Sequence, residues 1–599
     1  MTESYDLIIR GGTILDGSGG DPFEGDIAVR DGSIAAVGRI SGSGRDEIDA
    51  TGRLVTPGFV DIHTHYDGQV TWENRLRPSS EHGVTTVVMG NCGVGFAPCK
   101  PDERDLLVRV MEGVEDIPEI VLTEGIPWTW TSYPEYLDFL AGRRFDADCA
   151  AYVPHAALRV FVMGERAIDR EPATAEDRDR MCELVSQAVL AGALGVSSSR
   201  LLSHRDSAGN LAPHVMTDRD ELMALAEGLR RAGKGVFQIA AGFSNQQLGS
   251  VIEGASTTSP EKAARDEVNL LAELCRASGR PVTFALAIIN AMPELATLVL
   301  DLVGEANREP GVEIAAQVFP RPVGILFGLD LSLHPFKLHP SYRAIEHMPL
   351  NARVAEMHKP EVRARILGDK PDADHPDPIQ RFLVERSLLS YPFGREPDYE
   401  PLPGSSLAAV AERGGRSVED IAYAALLEDD GKALLFLPIN NFPGSLDQLA
   451  EMIESDHTVI GLGDGGAHLG LICDASYPTF LLSYWTRERT RGNGRRISLQ
   501  QAVRQLTRRA AEVVGLNDRG LLAPGLRADI NIIDYGALRL HGPDVSCDLP
   551  GDGKRLSQRV DGIVATIVAG EVTYRNGAPT GALPGRLLRC PEPVSTFSE

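Results

Sequence analysis

Two histidines separated by a single residue are the strongest chemical signal in this sequence. His63 and His65 follow the mainly apolar segment 59–62, with Thr64 between them. Because alternate side chains of an extended chain lie on the same side, the two imidazoles can reach one ion. Imidazole nitrogen is a common ligand of Zn²⁺ and related metals. The spacing therefore predicts part of a metal site at the end of a buried strand.

An acid and a thiol follow two other apolar segments and can complete such a site. Asp464 comes after residues 459–463, and its carboxylate can both bind an ion and accept a proton from water. Cys92 follows residues 84–89 and can offer a thiolate. A small buried cysteine that serves only in packing is the alternative for Cys92. We expect Cys99, farther along that loop, to be structural.

The elements that must position these residues are short buried strands that alternate with longer helical stretches, for example at 181–191 and 219–232. This alternation predicts an α/β fold with a parallel sheet and crossover helices. Eight such units form a (β/α)8 TIM barrel, whose active site lies at the carboxyl ends of the strands. The predicted strands cover residues 59–63, 84–89, 150–153, 194–198, 236–240, 282–287, 313–318 and 458–462.

Both chain ends contain short strands between Gly-rich and Pro-rich turns, so we expect them to share one sheet system. The interval between the seventh and eighth strands is too long for an ordinary connection and is rich in proline and charge. Long excursions of this kind are commonly lids, which predicts an insertion over the mouth of the barrel at about 329–437. The predicted domains are residues 1–58 and 516–599, which flank the barrel at 59–515.

Composition excludes several classes of function. The chain has 599 residues with a net charge of −25, which disfavours nucleic acid and anionic membrane surfaces as partners. It contains no apolar run long enough to cross a bilayer and no secretory signal pattern, so we expect a cytoplasmic protein. Its eight cysteines form no Cys-x-x-Cys pair. Phosphate-binding loops and the Gly-x-Ser-x-Gly nucleophile turn are also missing from the sequence.

Several motifs together resemble the amidohydrolase superfamily, and within it the D-aminoacylase branch of N-acyl-D-amino-acid deacylases. The resemblance extends over essentially the whole chain. It implies a metal site made by His63, His65, Cys92 and Asp464, and a composite β-sandwich built from both chain ends. The motifs are DLIIRGG (6–12), PGFVDIHTH (57–65), GVTTVV (83–88), GNCG (90–93), EDIP (115–118), WTW (128–130), the glycine after Asp464, and LAPGLRADI (522–530).

The sequence departs from that branch at two strands. The branch also uses histidines at the ends of strands five and six and a lysine soon after, whereas here these strands read GVFQIA (235–240) and VTFALA (282–287). The second metal pocket and the clamp for a substrate carboxylate are therefore missing from their usual places. One Zn²⁺ per chain is more economical than two, with three protein ligands and an open position for water. Gln238 is expected to form hydrogen bonds, and weak ligation is its alternative.

Other polar residues near the predicted strand ends are candidates for substrate binding. His155 follows strand three and can contact substrate or serve as a structural histidine. Arg200 and Arg321 follow strands four and seven, and either can bind an acid group bidentately or form a salt bridge between loops. His468 can line the pocket or brace Asp464. Two loop histidines after strand four remain open as metal ligands or solvated side chains: His204 and His214.

The sequence thus predicts a metal-dependent hydrolase that cleaves a C–N amide bond in an N-acyl amino acid or a related amide. Asp464 is expected to act as general base and then general acid. A hydrolase of a cyclic amide, lactam or ester is the enzymatic alternative. A catalytically silent binding protein is the alternative from another class. We expect a small-molecule substrate, and the resemblance implies association into a homo-oligomer.

Overall fold

The computed structural model describes residues 4–248 and 258–591 and has a mixed α/β fold. Parallel strands in one group of three and one group of six form its centre. We number these central strands one to eight along the chain, and the third has two segments. They are Phe59–Asp61, Val84–Met89, Asp148–Ala151 with Val153–Pro154, Gly195–Ser199, Val236–Ala240, Val282–Ala285, Ile314–Val318 and Thr458–Ile460.

Three central strands differ from their predicted bounds in ways that affect the site. The third strand is interrupted at Tyr152, so that its first segment pairs with strand two and its second with strand four. Strands one and eight end at Asp61 and Ile460, earlier than predicted. After strand eight the backbone turns left-handed at Leu462 (φ 64°), and this conformation cannot continue an extended strand. The predicted ligands therefore stand on turns beyond the strands.

The turns after strands one and eight are joined by backbone hydrogen bonds. The amide of Asp464 donates to the carbonyl of His63 (3.0 Å), and the amide of His65 donates to the carbonyl of Gly465 (2.8 Å). Thr64 and Gly465 form a parallel bridge between these two bonds. The first and last central strands therefore deliver their polar side chains to one place.

Helices connect the central strands, and their ends follow ordinary capping rules. The helix Ala175–Ala191, between strands three and four, begins after Thr174, earlier than predicted. Thr174 and Asp177 form a capping box at this end. The next helix begins after the capping residue Asp218 and ends at left-handed Gly233. The α-helices of eight or more residues in this part are Arg104–Glu115, Tyr133–Ala141, His155–Met163, Ala175–Ala191, Arg219–Ala232, Pro260–Ser278, Glu294–Ala306 and Asp447–Glu454.

One nine-stranded sheet contains strands from both ends of the chain. Strand Leu54–Pro57 lies between Ser4–Ile14 and Ile530–Ile533 in this sheet. A long hairpin, Arg539–Leu549 with Gly553–Asp561, was not expected from the sequence. The other strands of the nine-stranded sheet are Phe23–Arg30, Ser33–Gly38, Ser43–Asp49, Ile563–Val568, Glu571–Arg575 and Ala578–Pro579.

The long segment between strands seven and eight has a sheet and an apolar core of its own. Its three antiparallel strands are Val323–Phe327, Tyr391–Phe393 and Leu434–Asn440, so the sheet begins before residue 329 and ends after residue 437. Aromatic and aliphatic side chains from 327–437 pack together beneath its helices. These helices are Pro340–Arg343, Leu350–Met357, Pro360–Gly368, Pro378–Arg386, Leu407–Gly414, Val418–Leu426 and Glu428–Gly431. Among the described residues no helix is long and apolar enough to span a membrane.

Candidate active site

The turn after strand one presents both of its histidines on the same side. Thr64 anchors the turn, because its backbone amide and its hydroxyl both donate to the carbonyl of Val88 in strand two (3.0 and 2.8 Å). The rings of His63 and His65 lie edge to face with their centres 5.4 Å apart. Both side chains are buried. The anchored threonine thus fixes the two imidazoles beside each other.

The thiol of Cys92 completes a group of three potential metal ligands. Its Sγ lies 3.3 Å from Nε2 of His63. One donor atom from each of His63, His65 and Cys92 can be chosen so that all lie within 4.8 Å of one another. Burial raises the pKa of this thiol to about 11. A cation would reverse this shift, since a coordinated thiol loses its proton.

Asp464 faces both histidines from the turn after strand eight. Its Oδ1 lies 3.5 Å from Nε2 of His63 and 3.6 Å from Nε2 of His65. Burial raises the pKa of Asp464, but the hydrogen bond with His65 and the adjacent imidazoles outweigh this effect. The net result is a pKa lowered to about 2. The carboxylate is therefore ionised at neutral pH, and it can bind an ion or accept a proton.

Two contacts set the orientation of the imidazoles. Gln317 on strand seven places its Oε1 2.6 Å from Nδ1 of His63. The amide of Gln317 donates to the hydroxyl of Thr283 (3.2 Å), so its oxygen accepts from Nδ1–H and leaves the Nε2 lone pair of His63 free. Burial lowers the pKa of His63 to about 4, which keeps the ring neutral at pH 7. A neutral ring with Nε2 free is the form that binds metals.

A buried carboxylate that the sequence reasoning missed lies against His65. Oε1 of Glu115 is 3.4 Å from Nδ1 of His65, and its Oε2 is 3.5 Å from Nε2 of His468. Glu115 ends the helix Arg104–Glu115 and is almost fully buried. Its place in the EDIP segment was the available signal, although nothing in the spacing indicated which residues it would contact. Gln317, a lone polar residue inside an apolar strand, offered a similar signal.

Three of the four other candidate histidines, His468, His204 and His214, occupy different surroundings. His468 is 30% exposed at its side chain and faces Glu115, and its place in a substrate pocket stays a prediction. His204 hydrogen-bonds to the hydroxyl of Ser199 (2.9 Å). His214 lies with Nε2 2.8 Å from the backbone carbonyl of Cys92 and is fully buried, so it is not solvated. Neither His204 nor His214 joins the ligand group formed by the described residues.

The residues predicted to bind substrate at strands three, four and seven all have protein partners. Nδ1 of His155 bonds to Ser198 (2.9 Å) and its Nε2 to Glu221 (2.8 Å), while the ring has no exposed surface. Arg200 and Arg321 form salt bridges, which were the alternative to substrate binding for each of them. Their ion pairs are Arg200 with Glu267 (2.8 Å) and Arg321 with Asp474 (2.7 Å). A role for any of the three in substrate binding stays a prediction.

Comparison with known proteins supports the resemblance seen in the motifs. The model of a family described as "Amidohydrolase family" matches residues 46–574. The chain belongs to the amidohydrolase family. As a member it is a hydrolase of carbon–nitrogen bonds other than peptide bonds. The resemblance to the D-aminoacylase branch is confirmed, because relatives of that branch match over the whole chain.

Three relatives of this amidohydrolase illustrate the match. N-acyl-D-glutamate deacylase of Alcaligenes xylosoxydans xylosoxydans is 27% identical, with 98% of this chain and 97% of the relative covered. A D-aminoacylase structure, described by one-metal activation and second-metal attenuation of a binuclear centre, has a TM-score of 0.63 at 22% identity, covering 98% and 100% of the two chains. N-acyl-D-glutamate deacylase from Bordetella bronchiseptica, complexed with zinc and a phosphonate inhibitor, has a TM-score of 0.61 at 22% identity and the same coverage.

Proposed function

We propose that this amidohydrolase binds one Zn²⁺ and cleaves the amide bond of an N-acyl amino acid or a related amide. The observation that carries the proposal is the convergence of His63, His65 and Cys92, with Asp464 facing both imidazoles. Two imidazoles with a thiolate or a carboxylate are a donor set that suits zinc and leaves a position open. The tautomer that Gln317 imposes on His63 fits the same ion.

The bound ion and Asp464 would contribute to different parts of the reaction. A zinc ion in such a site lowers the pKa of water toward neutrality and polarises a carbonyl oxygen. Asp464 is ionised and lies beside both histidines, so it accepts the proton of the attacking water. The same carboxyl group then returns the proton to the leaving nitrogen, because a general base in one direction is a general acid in the other.

One ion rather than two is supported by what strands five and six present. Gln238 on strand five directs Oε1 to the backbone amide of Cys92 (3.0 Å). Thr283 on strand six donates to a backbone carbonyl and accepts from Gln317. Both side chains serve other residues, and the described residues offer one group of three potential ligands.

We also propose that the eight central strands close into a (β/α)8 barrel. The parallel order of the strands and the bonds between the turns at 63–65 and 464–465 support closure. In this arrangement residues 1–58 and 516–599 form the composite β-sandwich, and the segment at about 329–437 covers the barrel mouth. We also propose that the substrate is a small molecule and that the protein is cytoplasmic.

The test measures metal content and hydrolysis in the same preparations. Protein purified without added metal is expected to contain about one zinc per chain by elemental analysis. His63→Ala is expected to lose it and Cys92→Ala to bind it more weakly, whereas Cys149→Ala, which changes a fully buried cysteine on strand three, retains it. Two zinc ions per chain, or retention in His63→Ala, would contradict the proposed site.

Activity is assayed on N-acyl-D- and N-acyl-L-amino acids, simple amides, lactams and esters. Hydrolysis of linear amides that disappears in His63→Ala is the expected result. Turnover confined to lactams or esters would replace the proposed substrate class. Bound zinc without hydrolysis of any of these compounds would contradict the proposed substrate class.

A further inference from the structure

The backbone of Cys92 adopts a conformation that the residue does not favour by itself. Its φ and ψ are 57° and 8°, in the left-handed region that is unfavourable for residues with a Cβ. Gly90 and Gly93 are left-handed as well, with φ of 76° and 77°. Relaxation of Cys92 to ordinary backbone angles would redirect its Cβ and move the thiol away from His63. Something outside the turn must therefore hold it.

Two fully buried side chains contact the two peptide groups of Cys92. Oε1 of Gln238 accepts a hydrogen bond from the Cys92 amide (3.0 Å), and Nε2 of His214 lies 2.8 Å from the Cys92 carbonyl oxygen. A carbonyl oxygen only accepts, so Nε2 of His214 carries the proton. The imidazole also packs tightly on the turn, because a Cβ added to Gly93 would lie 2.6 Å from Cδ2 of His214.

Neither side chain has another hydrogen bond within the described part of the chain. Nε2 of Gln238 and Nδ1 of His214 are buried without a partner among the described residues. Leaving a buried polar atom unpaired is unfavourable, and most such atoms in proteins are paired. The one hydrogen bond that each of these side chains makes here is directed to the backbone of Cys92.

We propose that Gln238 and His214 are positioning residues that hold the Cys92 thiol at the metal site through the peptide groups on either side of its Cα. The inference rests on the proposed metal site and adds two residues that do not touch the ion. It also gives His214 a role different from the metal ligation or solvation expected from the sequence. Strand five thereby supports the thiol instead of holding a second ion.

The test uses Co²⁺ alone as the probe, because cobalt bonded to a thiolate absorbs in the near ultraviolet. The parent protein is expected to show this charge-transfer band, and Cys92→Ala is expected to lack it. Gln238→Met and His214→Met keep much of the side-chain volume but remove the hydrogen bonds. We expect both to bind Co²⁺ about 10- to 100-fold more weakly and to show a weakened thiolate band.

Conservative variants separate positioning from general damage to the fold. Gln238→Glu keeps the oxygen that accepts from the Cys92 amide, and His214→Gln keeps an N–H donor, so both are expected to retain the band. His82→Gln serves as the matched control, because His82 is fully buried and bonded at both ring nitrogens but precedes strand two, at the end opposite Cys92. It is expected to keep the parent band.

The outcomes distinguish this inference from the proposed metal site. A full thiolate band and parent affinity in both Met variants would overturn the inference and leave the metal site intact. Absence of the band in the parent would overturn the thiolate ligand itself. A band that weakens equally in His82→Gln would assign the effect to lost stability, and the inference would then be wrong.

Discussion

The strand ends on the two sides of the central strands differ in chemistry. Strands one, two and eight lead to imidazoles, a thiol and a carboxylate, which are groups that can bind a metal. Strands five, six and seven present Gln238, Thr283 and Gln317, which are neutral. Gln238 and Gln317 contact the first group, and Thr283 supports Gln317. We call these the ligand side and the support side. The difference illustrates that partners which orient the ligands also influence affinity for an ion.

The ligand side is tested most strongly by Asp464→Asn. An amide has nearly the shape of the carboxylate but cannot accept the proton of water. We expect kcat on the best amide substrate to fall by about 10²- to 10⁴-fold, the range for loss of a general base. Elemental analysis should show that most of the zinc remains, since two histidines and Cys92 are unchanged. Parent-like kcat would contradict the role of Asp464 and remove the distinction between the two sides.

The loop that follows strand seven of the support side is tested for a structural function by Arg321→Met. Arg321 is buried in an ion pair with Asp474 and also donates to Ser476 and to the carbonyl of Cys473. Removing the cation leaves a buried carboxylate unpaired, so the free energy of unfolding should fall by about 3–5 kcal/mol in urea titrations.

The matched control for Arg321→Met is Arg343→Met, which breaks a half-exposed pair with Asp372. It should change stability by no more than about 1 kcal/mol. KM of the Arg321 variant should stay near that of the parent. A KM that rises strongly while stability is unchanged would instead support the prediction that Arg321 binds the substrate.

A buried histidine outside both sides, His82, shows how burial alone changes the pH dependence of stability, without a contribution from the metal. Burial lowers the pKa of His82 to about 4 from its ordinary 6.5. The unfolded chain therefore binds a proton that the folded protein does not, and stability present above pH 6.5 is lost as the pH falls toward 4. The loss amounts to about 3 kcal/mol at most. Urea unfolding between pH 7 and 4 should show a shallower decline in His82→Gln, and parallel declines would contradict this assignment.

The smallest expected effect concerns the contact between the two sides. Gln317→Leu removes the acceptor that sets the tautomer of His63, so zinc affinity should fall by about 10- to 100-fold in competition with a chelator. Gln317→Glu keeps an acceptor oxygen at the same place and should bind zinc within a few-fold of the parent. Equal affinity in the parent and Gln317→Leu would mean that the support side does not influence the ion.

The sequence was sufficient to predict that His63, His65, Cys92 and Asp464 lie close together, because its signals are local. Each predicted ligand lies on the turn after a buried strand, and the spacing of His63 and His65 predicts that the two side chains lie on the same side. The strand positions were predicted within a few residues for the same reason. The breaks after Asp61 and Ile460 were not predicted, since they depend on left-handed residues and on bonds between distant turns.

The support side could not be predicted, because its contacts join residues far apart in the chain. Gln238 meets Cys92 across 146 positions, and Gln317 meets His63 across 254. Glu115 reaches His65 from a helix end whose docking depends on the packing of the whole domain. A lone amide inside an apolar strand indicates a buried hydrogen bond, but it does not name the partner.

The nine-stranded sheet has a consequence for how the protein is made. Strand Leu54–Pro57 pairs with Ile530–Ile533, which the ribosome produces roughly 470 residues later. At about 5–20 residues per second, translation leaves the edge of this early strand without that partner for about 25–95 seconds. An exposed strand edge can pair with other chains in that time. Slow synthesis should therefore increase the demand for chaperones on nascent chains more than on the finished enzyme.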